Sequence, residues 1–83
     1  MSIDQERKLQ ETVRRVFLED LSLEIVDPGL DLLEAGILDS LALVGLIAGL
    51  EERLEVTVDF ETLELDDLRS LDAIAALLDR LIQ

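Results

Sequence analysis

The sequence predicts an all-α domain: three main helices, a short third helix between the second and the last, and a long first loop. Three observations carry this. Leu supplies 20 of the 83 residues and outnumbers the β-branched Val and Ile, which favours helix over strand. Hydrophobic residues reach 49% beside 33% charged, too apolar a mixture for disorder. Apolar positions recur at the spacing of one helical face in three stretches.

The first helix is expected over residues 3–17. Leu9, Val13, Val16 and Phe17 share one of its faces. Ser2 and Gln5 suit a capping box. Asp4 and Glu6 early, and Arg14 and Arg15 late, match the partial charges of the helix ends. Residues 18–38 form the long loop. Within it, Asp27-Pro28-Gly29 predicts a type II turn, because Gly accepts the positive φ required there. Gly36 is a second break, and residues 30–35 between them have room for one or two helical turns. A loop this long in a compact domain is more often functional than not. Its Leu and Ile residues predict that it packs on the core.

The second helix runs from its cap, Asp39, to about residue 54. Leu38 before the cap and Leu43 within the helix are placed as a hydrophobic staple. Leu43, Ile47, Leu50 and Leu54 share one face. Val56-Thr57-Val58 has the composition of a strand but no partner, so it reads as an extended connector. Residues 60–68 fit a short helix or an irregular turn. Ser70 caps the last helix, with Asp72 in its first turn and Arg80 in its last. Leu71, Ile74, Leu78 and Leu81 continue its apolar spacing to Ile82.

Charge narrows the function. Twenty acids against seven bases give a net charge of −13. Such a chain is repelled by nucleic-acid phosphates and anionic lipid, so its partners are expected to carry basic patches. It has no Cys and no His, which removes disulfides, thiolate metal sites, most zinc sites and the commonest general base. Without Trp or Tyr it has no aromatic stacking platform. The longest uncharged stretch, residues 40–50, is far short of the roughly 20 residues of a membrane span. The first residues lack the basic start and apolar run of a signal peptide. A single cytoplasmic domain over residues 1–83 is expected.

No catalytic constellation emerges. A hydroxyl nucleophile needs a neighbouring base, and the only Lys is Lys8, in the first helix. Glu51-Glu52 and Asp66-Asp67 read as solvated faces. Asp27 to Glu34 contains acids but not the spacing of a calcium loop. Neither a metal site nor an enzyme is expected. Ser40 stands apart, because it follows the cap of the second helix directly after the long loop. Unpaired amides and the positive dipole end gather there, which suits a phosphate group. A serine at a helix start also simply assists capping, and position alone favours that reading.

The local sequence adds to this. Leu33-Glu34-Ala35-Gly36-Ile37-Leu38-Asp39-Ser40-Leu41 closely resembles the attachment motif of acyl and peptidyl carrier proteins. Val44, Leu46, Ile47, Leu50 and Leu54, followed by Glu51-Glu52, Val56-Thr57-Val58 and Ser70, extend the likeness over roughly residues 3–82. The resemblance implies a four-helix bundle of acyl carrier protein type. It also implies that Ser40 is esterified by 4′-phosphopantetheine from coenzyme A through a separate phosphopantetheinyl transferase. Asp39 is then the acidic neighbour read by that transferase, and Leu41 part of the docking surface. The arm brings the thiol that the chain lacks.

One departure from the family is informative. From Ser40 to Leu50 there is no charge, where fatty-acid carriers often have acidic or polar positions. A small apolar patch, with Ala42, Leu43, Gly45, Ala48 and Ile37 as candidate partner-binding residues, suggests a hydrophobic contact near the arm. This looks more like peptidyl and D-alanyl carriers. Gly45 and Gly49 each cost a helix roughly 1 kcal/mol relative to Ala, which a partner, the first loop or a neighbouring helix could offset. The reading is a freestanding, monomeric carrier of an acyl or aminoacyl group. A separate adenylating ligase loads it, and a downstream transferase or synthase accepts the group. The alternative is an acidic helical adaptor without a covalent cofactor, in which Ser40 is an ordinary cap.

Overall fold

A computed structural model describes residues 3–59 and 61–82. The elements are α1 (Ile3–Asp20), α2 (Ser40–Leu54), a 3-10 turn (Leu65–Leu68) and α3 (Leu71–Ile82). The all-helical architecture agrees with the sequence. The short third helix is the 3-10 turn. None of the described helices is long and apolar enough to cross a membrane.

α1 supplies the face on which the other elements pack. Leu9, Val13, Val16 and Phe17 are all buried, as their spacing predicts. Ile47 and Leu50 from α2, and Leu71, Ile74 and Leu78 from α3, join them in one core. Each such side chain contributes about 1.5–3 kcal/mol when removed from water. Leu81 continues the periodic face of α3 but is exposed, because the helix outruns the core at that end.

α1 is three residues longer than predicted and ends at Asp20. Arg14 and Arg15 therefore lie inside the helix, and its last turn holds no base. Arg14 instead donates from Nε to the Ile25 carbonyl at 3.1 Å, tying the loop to the helix. The acids at the end of α1 oppose the helix dipole. Arg53 offsets them from α2, 2.7 Å from Glu19 and 3.6 Å from Asp20. The Ser2–Gln5 capping box lies outside the described residues, as does Phe60.

α2 runs antiparallel to α1, and its glycines set how closely. A Cβ on Gly45 would come 2.9 Å from Leu21 Cδ2. One on Gly49 would come 2.8 Å from Val16 Cγ1 and 2.5 Å from Asp20 Oδ2. Close approach of α1 and the residue just after it explains both glycines, so Gly45 faces Leu21.

The turn at Pro28-Gly29 is not type II. Leu30 donates to the Asp27 carbonyl at 3.1 Å, but Gly29 does not take a positive φ. Asp27 Oδ1 accepts from the Gly29 amide at 2.9 Å, and Asp at the first position favours type I geometry. Gly36 does use its freedom, at φ +73°. Asp31 Oδ1 caps the preceding turn through the amides of Leu33 and Glu34, at 3.1 and 3.0 Å. Gly36 donates to the Leu33 carbonyl and Ile37 to that of Leu32, the paired bonds of a Schellman stop. Later in the chain, where an extended connector was expected, residues 56–59 form no regular secondary structure and Val58 is buried. Its amide donates to Glu51 Oε2 at 2.8 Å, so Glu51 is a structural acceptor rather than part of a solvated face.

The two glycines make different predictions. Gly45→Ala meets only the tip of a half-buried Leu, so the helix gain of about 1 kcal/mol leaves the melting temperature unchanged or higher. Gly49→Ala presses on buried Val16, and overpacking of about 1–3 kcal/mol lowers it. Circular dichroism melts check this; Gly49→Ala melting no lower than Gly45→Ala contradicts it.

Candidate functional site

The site is built where the long loop hands over to α2. Asp39 is the cap, with extended backbone (φ −107°, ψ −174°), and its Oδ1 accepts from the Ala42 amide at 2.8 Å. The Leu43 amide makes the first helical bond, to the Asp39 carbonyl at 2.8 Å. Ser40 is therefore the first helical residue and is exposed. Its own amide and that of Leu41 have no acceptor among the described residues. The capping duty falls to the Asp39 carboxylate, which leaves the Ser40 hydroxyl uncommitted.

Asp39 and Ser40 line a cleft of about 210 Å³ together with Leu33, Leu38, Leu43, Leu65 and Leu68. The expected staple residues, Leu38 and Leu43, thus lie side by side at its wall. Leu38 is buried and Leu43 half-buried. The far wall comes from the 3-10 turn, which the sequence left undecided.

Arg69 anchors that wall to the loop. Its Nη1 lies 2.8 Å from Asp31 Oδ2 and its Nε 3.1 Å from Asp66 Oδ1. Its carbonyl accepts from the Leu32 amide at 2.7 Å. The Asp31 carboxyl is held below its usual range, first by the Glu34 amide and then by the Arg69 guanidinium. Arg69 is pushed up by the same pair and by Asp66. An ion pair separated by 38 positions has no local signature, so the sequence could not reveal it.

The expected partner residues divide by exposure. Ala48 is exposed; Ala42, Leu43 and Ile37 are half-buried against the core. Gly45 is turned to Leu21. The most exposed large apolar side chains of α2 are Leu41 at 83% and Val44 at 61%. Leu41, Val44 and Ala48 recur at helical spacing and form one outward stripe. Val44 was legible from that spacing once Leu41 was taken to be outward.

Among known families, the sequence matches the phosphopantetheine attachment site family over residues 8–78. That covers most of the chain, including the loop, α2 and the 3-10 turn, and the chain belongs to this family. Comparison with curated proteins finds no match. Members of the family are non-catalytic carriers that bear covalent 4′-phosphopantetheine, and they work with a phosphopantetheinyl transferase and with partner enzymes.

Because the folded-state pKa of Asp31 is depressed, its stabilising effect is full above the unfolded value of about 3.9 and is lost as pH falls through the folded value. Asp31→Asn keeps an oxygen for the loop amides but loses the charge. It should melt below the wild type at pH 7, and the gap should close as pH falls below about 4. A gap that stays constant down to about pH 2 contradicts this role.

Proposed function

We propose that Ser40 is the residue that carries the arm, and that the protein holds an acyl or aminoacyl group on it as a thioester and passes it between enzymes. The observation that supports this most is the division of labour at the start of α2. Asp39 caps the helix, and Ser40 presents an exposed, uncommitted hydroxyl. The free amides of Ser40 and Leu41 and the positive helix end favour a phosphodiester beside them.

The chemistry needs a partner. In the loading step the Ser40 oxygen attacks the β-phosphorus of coenzyme A. A new P–O bond forms, the pyrophosphate bond breaks, and the adenosine bisphosphate half departs. The base that takes the Ser40 proton belongs to the transferase, since this chain has no His and its only Lys is in α1. Asp39 and Leu41 flank the nucleophile and are the residues that the transferase reads. Once attached, the group supplies the terminal thiol on which the cargo rides. Tethering replaces bimolecular encounters with a local search at high effective concentration. The uncharged start of α2 favours an aminoacyl or peptidyl type of cargo enzyme over fatty-acid partners, with an adenylating ligase as loader.

Incubation with coenzyme A and a broad-specificity phosphopantetheinyl transferase should add one phosphopantetheine to the intact mass. Ser40→Ala should abolish the gain while keeping a melting temperature close to that of the wild type, because Asp39 retains the cap. No gain in a folded wild-type protein favours the adaptor instead. A Ser40→Ala protein that still gains the mass moves the attachment elsewhere.

A further inference from the structure

A groove of about 510 Å³ lies at the end of the molecule away from Ser40. Leu9, Leu54 and Ile82 supply its apolar lining, and Asp4 and Lys8 its charges. Ser40 begins α2 and Leu54 ends it, so the groove is about 20 Å along the helix from the serine. α3 outruns the core at this end and leaves Leu81 41% and Ile82 43% exposed on its last turn. Large apolar side chains exposed together beside a groove mark a contact surface. Asp4 and Lys8 are four positions apart on α1, the spacing at which an acid and a base of one helix pair. Both are exposed, and neither makes an ion pair among the described residues. Across a two-fold axis the same two residues complement each other: Asp4 of one copy faces Lys8 of the other, and Lys8 faces Asp4.

We propose that this end is a self-association surface. Two copies pack about a two-fold axis, each covering Leu81 and Ile82 of the other, and the Asp4–Lys8 pairs close across the contact. This goes beyond the carrier reading and does not depend on it. It replaces the monomer expected from the sequence with a weak dimer. Two copies of net charge −13 repel each other, least where their facing surfaces are least acidic. Residues 3–15 carry four bases against three acids, whereas the rest of the chain carries three bases against seventeen acids. A basic partner finds its weakest attraction here, and an acidic one leaves Asp4 without a counter-charge; a second copy satisfies both charges. One end of a small domain supplies less than the roughly 1,200 Å² of a standard interface, so the dimer is transient and forms at high protein concentration. The two Ser40 hydroxyls lie away from the contact and stay open to their enzymes.

Sedimentation equilibrium of the whole chain, in about 0.15 M NaCl to screen the repulsion, reads the association directly. The average mass should rise from the monomer value toward twice that value between about 0.01 and 1 mM protein. Ile82→Asp places a charge in the apolar contact and should raise the dimer Kd about tenfold or more. Val44→Asp adds the same charge near the other end of α2 and should leave the Kd unchanged. Asp4→Lys and Lys8→Asp each set like charges against each other and should each raise the Kd about threefold or more. An equimolar mixture of those two variants should associate as the wild type does, because every facing pair is again opposite in sign.

A wild-type protein that stays at the monomer mass up to about 1 mM overturns the proposal and leaves the groove to another protein. A dimer untouched by Ile82→Asp, or weakened as much by Val44→Asp, also overturns it, because the contact then lies elsewhere. Tighter association of Asp4→Lys, which removes negative charge from the chain, points to relief of general repulsion and overturns the pairing. So does a mixture that associates no better than the separate variants. Arm attachment is read independently by intact mass, so a failed dimer leaves the carrier reading standing. Circular dichroism of each variant separates loss of contact from loss of fold. If Ile82→Asp unfolds, Ile82→Ser reads the same contact.

Discussion

Leu32 holds the loop to the framework, and the site depends on it. Its side chain is fully buried in the core. Its amide donates to the Arg69 carbonyl, and its carbonyl accepts from both Ile37 and Leu38. Every polar group of that residue is therefore used between the segment before α3 and the residues that lead into α2. A buried loop backbone left unpaired would cost about 1–3 kcal/mol per group. Here the same bonds that avoid this cost fix the position of Leu38, Asp39 and Ser40. The long connection is not slack chain around a site; it is the part of the fold that aims the serine.

The two ends of the molecule have different tasks. At the Ser40 end, Asp31 and Arg69 join loop to 3-10 turn, Asp39 caps α2, and apolar side chains face outward. Toward the C-terminus of α2, Arg53 holds α2 to the acids at the end of α1. Between them Gly49 lets α2 lie against Val16. Helix packing thus sets the direction of α2, and the loop sets where it begins. A carrier needs both, since its partners must find the same hydroxyl in the same place each time.

Local chemistry was legible in the sequence, and long-range chemistry was not. The face Leu9, Val13, Val16 and Phe17, the caps Asp39 and Ser70, and the stop at Gly36 each follow from spacing within a few residues. Ser70 does cap α3, accepting from the Ala73 amide at 3.1 Å. The turn at Asp27-Pro28-Gly29 was misread because the Asp27 carboxylate accepts from the Gly29 amide, a bond that suits type I geometry, in which Gly29 needs no positive φ. The end of α1 was misread because Arg53, 34 positions away, makes two acids tolerable in its last turn. The glycines of α2 were ambiguous until the neighbouring helix was in view. The motif singled out Ser40 as the candidate, whereas Leu65, across the cleft, depended on a 3-10 turn with no helical period to read.

The central claim is that one hydroxyl, that of Ser40, is the attachment point. The other hydroxyls are Ser2, Thr12, Ser22, Thr57, Thr62 and Ser70. Of these, Thr12 donates to the Lys8 carbonyl, Thr62 to that of Asp59, and Ser70 is committed as a cap. Fragmentation of the modified protein by tandem mass spectrometry, with the phosphopantetheine located on a single residue, is the most direct test. The account predicts the whole added mass on Ser40. Added mass on any other hydroxyl, or spread over several, would contradict it.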